Sequence, residues 1–322
     1  MSRHPDFVPQ GVIPAVLLPF HTDFSIDESS FRAHLRDVAA VQSLSAITVN
    51  AHSTEVASCT RDEQARVMEI AGEEVGGKLP IIHGVWADGS LEAARIARQA
   101  QAGGAAALLV FPPGPFTMGQ SAEMALVHFK TIADASDLPM ILFQYPLATG
   151  QGYPSATLER LFDEVPAIRA IKDWTQTVPH HESQIRALQG RARPVNVLST
   201  NSAWLLSSLV PGCNGLLSGS VIADLQARLY RAVKANDRAE ACRLNNRIYP
   251  AARVFYADPL VDMHNRMEAL VLLGKLPRAV VRPPLVKISD AEIARIRNAL
   301  IEAGLLRPNR AGAQRGMIRA EE

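Results

Sequence analysis

The feature that most constrains the fold of this chain is a repeated alternation of short apolar runs with longer amphipathic stretches. Successive apolar runs are roughly 25–35 residues apart, which is typical of repeated strand–helix units. Each run is almost continuously apolar, as expected for a parallel strand that is buried on both faces. The predicted strands are Val12–Leu18, Ala46–Asn50, Pro80–Gly84, Ala106–Phe111, Met140–Tyr145, Ile168–Lys172, Val195–Ser199 and Gly215–Ser218.

The stretches between these strands carry the start and stop signals of helices. Thr60, followed three residues later by Glu63, forms a capping box, and the glycine pairs at 76–77 and 103–104 are suited to helix ends. The clearest predicted helices are Asp27–Val41, Thr60–Val75, Ser90–Ala102 and Ser121–Ala135.

Eight such units within residues 11–235 predict an α/β fold, the (β/α)8 or TIM barrel. A doubly wound open sheet is less favoured, because it normally has fewer strands and no GxGxxG motif follows the first one. Three further helices are predicted, with a proline-rich segment at 275–289 that cannot be helical throughout. They are Ala239–Val254, Pro259–Leu273 and Asp290–Ala303. The predicted organisation is an N-terminal arm (1–10), the barrel (11–235), a helical domain (236–306) and a mobile tail (307–322).

Charge and composition argue against several classes of protein. The 33 basic and 32 acidic residues leave a net charge of +1, which offers no electrostatic basis for binding nucleic acid or a membrane surface. No apolar run approaches the ~20 residues of a membrane span, and the first residues lack the apolar core of a signal peptide. The three isolated cysteines fit a reducing compartment. We therefore expect a soluble, cytoplasmic protein that needs neither a metal nor a cofactor.

One lysine lies where a barrel of this kind has its active site, at the C-terminal end of a strand. Lys172 ends the sixth apolar run, whereas the other lysines fall in helices, loops or the C-terminal segment. A desolvated amine has a lowered pKa and is the nucleophile that Schiff-base chemistry requires. A lysine that is merely paired with a carboxylate at a strand end is the alternative, and the residues around it leave both open.

A polar turn, Asn50–Glu55, follows the second strand. Successive backbone N–H groups in such a turn can form a nest for a carboxylate. Ser53 and Thr54 would add hydroxyl donors to this nest. The alternative is a plain loop in which Glu55 bonds back to the main chain.

Other candidate site residues follow the fifth, seventh and eighth strands. Phe143 and Tyr145 are two residues apart and share a face if the strand continues. The tyrosine could move protons or could simply pack at the mouth of the barrel. Ser199 and Ser218, at the ends of their strands, could line the opposite side of the mouth.

These segments, in this order, resemble the dihydrodipicolinate synthase / N-acetylneuraminate lyase family of barrel enzymes that form lysine Schiff bases. GVIPAVLLPF is similar to the family's opening strand, TVNAHSTEVASCTRDEQ to its carboxylate-binding loop and helix, and LFQYPLATG to its tyrosine segment. AIKDWTQT is similar to the lysine segment and RPPLVKIS to a late motif. The resemblance covers most of the chain. It implies a barrel with a C-terminal helical domain, a homotetramer or homodimer, and a catalytic Lys172.

The sequence departs from the family pattern at several positions. Phe143 stands where an alignment without gaps puts the family's catalytic tyrosine. Either Tyr145 replaces it from two residues further on, or the turn is two residues shorter and Tyr145 fills the family's position. Gly114 lies where the synthases have a tyrosine that reaches a neighbouring subunit, and Ala148 lies where they have a substrate-binding arginine. His52 stands in place of a threonine and adds a group expected to titrate near neutral pH. These departures argue against a true dihydrodipicolinate synthase and are compatible with a hydratase-aldolase, a sugar-acid aldolase or a dehydratase of the same family.

The sequence therefore predicts a Schiff-base lyase that acts on a 2-oxo acid such as pyruvate. The N–H groups of Ser53 and Thr54 would hold the carboxylate, Lys172 would attack the 2-oxo carbon, and Tyr145 or His52 would carry protons. A non-catalytic family member that senses a 2-oxo acid is one alternative, motivated by the lost tyrosine. A divergent dihydrodipicolinate synthase is another.

Overall fold

The eight predicted strands close into a single barrel. In the computed structural model, which describes residues 4–175, 177–256 and 260–308, each strand runs parallel to its neighbours in chain order, and the last pairs with the first. The predicted (β/α)8 barrel is confirmed. The strands are β1 (Gly11–Ala15), β2 (Ile47–Val49), β3 (Ile81–Val85), β4 (Ala107–Val110), β5 (Met140–Gln144), β6 (Ile168–Asp173), β7 (Asn196–Ser199) and β8 (Gly215–Gly219).

A helix follows each strand and packs on the outside of the barrel. The four clearest predicted helices begin and end within two residues of the observed bounds. At the start of the second, Glu63 N–H donates to the Thr60 hydroxyl at 3.2 Å and Thr60 N–H donates to the Glu63 carboxylate at 2.8 Å, as the capping box requires. The helices are α1 (Glu28–Ala39), α2 (Arg61–Glu74), α3 (Ser90–Ala102), α4 (Ala122–Ala133), α5 (Ser155–Glu164), α6 (Val178–Gln189), α7 (Leu205–Leu209) and α8 (Ala223–Lys234).

Two sets of apolar side chains explain the continuous apolar runs of the strands. Because successive side chains point to opposite faces of a strand, one set, which includes Ile13, Leu109, Ile141 and Leu217, fills the inside of the barrel. The other set packs under the surrounding helices. Since the inside is filled by side chains, a ligand can enter only at an end of the barrel.

Among the described residues, three helices follow the barrel: α9 (Arg238–Phe255), α10 (Met263–Leu272) and α11 (Asp290–Glu302). The segment 275–289 between the last two is not helical, as its prolines predict. The predicted start of the second helix at Pro259, and the predicted tail from residue 309 onward, lie outside the described residues. Within the described ranges, no helix has both the length and the apolar character needed to cross a bilayer.

Candidate active site

Lys172 lies at the C-terminal end of β6 and lines a cleft at the mouth of the barrel. Its backbone is in register with Phe143 on β5 and Leu198 on β7. The residue is only 6% exposed, and its Nζ lies 4.0 Å from the centroid of the Phe143 ring. The amine is therefore held against an apolar surface at the place where the sequence predicts a nucleophile.

The surroundings of Lys172 favour its neutral form. Burial lowers the pKa of the amine, and the positive charge of Arg266 lowers it further, to about 7. Loss of hydration penalises the charged form, and a second cation repels it. A large share of the amine is consequently neutral near pH 7, as a nucleophile requires.

The carboxylate that follows Lys172 in sequence belongs to a different pair. Asp173 Oδ2 lies 2.6 Å from His181 Nδ1, and Asp173 Oδ1 accepts the N–H of Thr175 at 3.1 Å. Alternation along β6 places Asp173 on the opposite face from Lys172. No ion pair among the described residues includes Lys172, so the strand-end ion pair considered from the sequence does not form there.

The cleft around Lys172 collects residues from distant parts of the chain. The cleft is open to solvent at the mouth of the barrel. Of the predicted site residues, His52, Ser53, Phe143, Lys172 and Ser218 are brought together here. The lining comprises Ala15, His52, Ser53, Phe143, Lys172, Trp174, Thr200, Asn201, Ser218, Gly219, Tyr256 and Arg266.

The loop that carries His52 is held tightly against β3. A Cβ atom at Gly84 would lie 1.9 Å from the carbonyl oxygen of Asn50, so only glycine permits this approach. The Asn50 side-chain N–H donates to His83 Nε2 at 2.8 Å. Burial lowers the pKa of His83 to about 4, which keeps this ring neutral and able to accept. The start of the loop is thereby anchored.

Thr54 does not take the predicted role in substrate binding. Its N–H donates to the Ala51 carbonyl at 3.1 Å. Its hydroxyl donates to the same carbonyl at 2.9 Å and accepts the Ala51 N–H at 2.6 Å. Donors already used inside the turn are not available to a substrate. Of the two residues predicted to form the nest, Ser53 is the one that lines the cleft.

The two serines predicted on the far side of the mouth differ in orientation. Ser218 lines the cleft. Ser199 is fully buried, and its Oγ lies 3.0 Å from Oγ of Ser208 on α7. Alternation along β7 turns Ser199 away from the barrel axis, so its predicted role in substrate binding is wrong. Thr200 and Asn201 line the cleft instead.

Tyr145 and His52 form a hydrogen-bonded pair beside the cleft. Tyr145 Oη lies 2.5 Å from His52 Nε2. Burial raises the pKa of Tyr145 well above its usual range, while burial and the charges of Lys172 and Arg266 lower the pKa of His52 to about 3. Both groups are therefore neutral near pH 7. The expectation that His52 titrates near neutral pH is wrong, because the sequence does not show how apolar its surroundings are.

Aromatic rings account for these surroundings. The His52 ring packs edge-on against Phe111 at a centroid distance of 4.9 Å. The Tyr145 ring packs against Phe143 at 4.7 Å and against Trp174 at 5.2 Å. Edge-to-face packing of this kind keeps water away from the polar atoms that it encloses. Tyr145 is not among the described residues that line the cleft, but its hydroxyl contacts His52, which is.

Two cleft residues from the C-terminal segment are absent from the sequence predictions. Tyr256 follows α9, and Arg266 lies on α10, where its Nε donates to the Phe255 carbonyl at 2.7 Å. The sequence does contain a signal for Arg266. It is spaced three and four residues from Met263 and Leu270, on the apolar face of its helix, and an arginine in such a position indicates a buried charge.

The chemistry of the lining favours an anionic ligand. Arg266 and the protonated share of Lys172 supply positive charge, and Ser53, Asn201 and Ser218 supply neutral hydrogen-bond donors. None of the described residues that line the cleft is an Asp or a Glu. Within residues 4–175, 177–256 and 260–308, no three His, Cys, Asp or Glu side chains are placed to hold a metal ion.

Replacement of Lys172 by methionine is expected to raise the melting temperature, and to raise it more at pH 6 than at pH 10. The folded-state pKa of about 7 lies below the ~10.4 of an unfolded lysine. The unfolded chain therefore binds more protons between these values, and the wild-type free energy of unfolding rises with pH across that window. Methionine removes a low-pH penalty of the order of a few kcal/mol. Thermal melts of both proteins would check this, and a pH-independent difference would contradict it.

Comparisons with known proteins place this geometry in a family. The sequence matches the Dihydrodipicolinate synthetase family over residues 8–303. A 4-hydroxy-tetrahydrodipicolinate synthase from Acidobacterium capsulatum is 30% identical over 301 residues, which cover 92% of this chain and 96% of the relative. One from Rhodopseudomonas palustris is 29% identical over 308 residues, which cover 95% and 100%.

Solved structures show the same fold. YagE, a prophage protein of the dihydrodipicolinic acid synthase family from E. coli K12 solved in complex with pyruvate, superposes with a TM-score of 0.86 at 23% identity, covering 92% of this chain and 99% of that one. A dihydrodipicolinate synthase from Thermotoga maritima gives 0.84 at 22% identity, covering 92% and 99%. The structural likeness establishes the barrel, and the sequence match extends over nearly all of it. The chain therefore belongs to the dihydrodipicolinate synthetase family.

Proposed function

We propose that the protein is a Schiff-base-forming lyase that acts on a 2-oxo acid, pyruvate or a derivative, through Lys172. The observation that carries this proposal is the amine itself: it is buried at the C-terminal end of β6, faces a cleft, and has a pKa of about 7. The relatives support it, since the curated ones are named as synthases of this family and YagE was solved with pyruvate.

The first step is attack of the neutral Lys172 Nζ on C2 of the oxo acid. A C–N bond forms, and the carbonyl oxygen leaves as water with the two protons of the amine. Protonation of the resulting imine creates an electron sink. The C3–C4 bond can then break or form, or a leaving group can depart further along the chain. Ser53 supplies donors for the carboxylate on C1.

The Tyr145–His52 pair supplies the proton path in this proposal. A neutral imidazole accepts a hydrogen bond at one nitrogen and donates at the other. A proton can therefore pass between Tyr145 and a substrate in the cleft through His52, without either group remaining charged. In this role Tyr145 replaces the hydroxyl that Phe143 lacks.

Incubation with pyruvate and borohydride tests the imine. The intact mass is expected to increase by one pyruvate less one oxygen atom, and peptide mapping is expected to find the adduct on Lys172. Lys130 provides an internal control, because it is an exposed lysine paired with Glu164 at 2.7 Å and does not line the cleft. An unchanged mass, or an adduct on another lysine, would exclude the mechanism.

The protein is not expected to turn over pyruvate and aspartate semialdehyde at a rate typical of enzymes, ~10 per second. The N–H of Gly114 donates to Asp88 at 3.2 Å, and this glycine offers no hydroxyl for a relay. Ala148 is exposed in the turn after β5 and carries no charge to hold a second substrate. A coupled assay for the condensation product measures the rate, and robust turnover would contradict the prediction.

Trapping also separates the lyase from a non-catalytic sensor. A sensor that merely binds a 2-oxo acid has no need of an imine, so an adduct on Lys172 favours the lyase.

We also propose, from the sequence, that the chain divides into a barrel (11–235) and a helical domain (236–306). We propose further that it assembles as a homodimer or a homotetramer. Light scattering of the purified protein tests the oligomeric state.

A further inference from the structure

We propose that Arg266 binds a second carboxylate of the substrate, so that the cleft takes a 2-oxo dicarboxylic acid. This inference rests on the proposed function, because it assumes an oxo acid at Lys172, and it adds the class of that acid. It starts from a guanidinium group that α10, a helix outside the barrel, places in the same cleft as Lys172.

The Nε atom of the Arg266 guanidinium is held by a hydrogen bond, and the two Nη atoms face the cleft. Arg266 is 5% exposed. Its Nε donates to the Phe255 carbonyl at 2.7 Å, and its Cζ lies 5.1 Å from the centroid of the Tyr256 ring. Among the described residues, neither Nη atom has a protein acceptor, and neither is sealed from the cleft. Two parallel donors thus remain for a ligand, which is the geometry that holds a carboxylate by two hydrogen bonds.

The charge of Arg266 also calls for an anion. The ion pairs of the described chain do not include Arg266. Asp262, one turn earlier, attracts the guanidinium electrostatically, and its Oδ1 accepts a hydrogen bond from Asn265 at 3.3 Å. A buried charge is costly unless it is paired and hydrogen-bonded. A bound carboxylate would supply both at once.

Arg266 and Ser53 line the same cleft from different elements. Tyr256, which packs on Arg266, is tied to the end of β8: its hydroxyl accepts the N–H of Val221, and its ring lies against Gly219. Ser53 stands on the loop after β2. In the proposal, one carboxylate of the oxo acid meets Ser53 and the other meets Arg266.

A pair of acids with the same carbon chain tests the inference. 2-Oxoglutarate and 2-oxopentanoate differ only in whether the far end is a carboxylate or a methyl group. In the wild type, half-maximal borohydride trapping is expected at a concentration of 2-oxoglutarate about 10- to 100-fold lower than that of 2-oxopentanoate. In Arg266→Gln this preference is expected to vanish. Because both acids react with the same amine, the ratio cancels any change in Lys172.

Several results would overturn the proposal. One is equal half-saturation by the two acids in the wild type. Another is an Arg266→Gln variant that weakens the trapping of pyruvate, 2-oxopentanoate and 2-oxoglutarate by the same factor. Arg266 would then hold the carboxylate that all three acids share. Should that variant fail to fold, Arg266→Lys replaces it. A lysine lacks the planar fork, so an unchanged preference in Arg266→Lys also counts against the proposal.

Failure of the proposed lyase function gives a different pattern. If no oxo acid is trapped on Lys172, the imine is absent, but binding can still be measured by the shift in melting temperature. Greater stabilisation of the wild type by 2-oxoglutarate than by 2-oxopentanoate, lost in Arg266→Gln, would then still support the role of Arg266. Equal stabilisation by the two acids would refute it.

Discussion

Replacement of Lys172 by alanine is expected to abolish the trapped pyruvate adduct and to lower turnover of the substrate by at least ~10⁴-fold. Lys172 is the only lysine among the described residues that line the cleft. Without its amine, C2 of the oxo acid cannot become an imine, and no electron sink forms. Intact mass after borohydride treatment and initial rates with the identified substrate measure the two effects.

Chemical rescue makes this prediction specific to the amine. Lys172→Cys treated with 2-bromoethylamine regains an amine at nearly the same distance from the backbone, and we expect it to recover part of the adduct. Wild type treated in the same way controls for reaction at Cys242, which is an exposed natural thiol. Lys130→Ala, at an exposed site, is expected to keep both adduct and turnover. An adduct that persists in Lys172→Ala would refute the assignment.

Substitution of Tyr145 by phenylalanine is expected to lower turnover about 10²- to 10⁴-fold while pyruvate is still trapped on Lys172. A positioned acid–base group contributes rate enhancement of this size, and in the proposed mechanism imine formation precedes the proton transfer assigned to the Tyr145–His52 pair. The hydroxyl lies 2.5 Å from His52 Nε2, so its removal breaks the path and leaves the ring packing in place. Steady-state rates and borohydride trapping of the same preparations measure the two steps separately.

Tyr153 offers a matched control for Tyr145→Phe. It is also a buried tyrosine, but its hydroxyl has no hydrogen-bond partner among the described residues. Tyr153→Phe is therefore expected to leave turnover unchanged. His52→Ala completes the set. If His52→Ala removes activity and Tyr145→Phe leaves it intact, His52 alone carries the proton and the role of Tyr145 is wrong.

The sequence by itself determined the architecture and the place of Lys172 at the mouth of the barrel. Eight continuous apolar runs, separated by capped amphipathic helices, leave few folds other than a parallel barrel, since each strand must be buried on both faces. Because the active sites of such barrels lie at the C-terminal ends of the strands, Lys172 is then predicted to be a site residue. Both inferences depend on local pattern and on register along a single strand, and those are properties that a sequence displays directly.

Only the tertiary structure decided which groups face the cleft and how they are charged. Arg266 reaches Lys172 from a helix outside the barrel, Ser199 turns toward α7, and the donors of Thr54 are used inside their own turn. The pKa of His52 falls to about 3 because of the rings and cations gathered around it. Desolvation and Coulomb interactions depend on all the atoms within a few ångströms, and those atoms come from segments far apart in the chain.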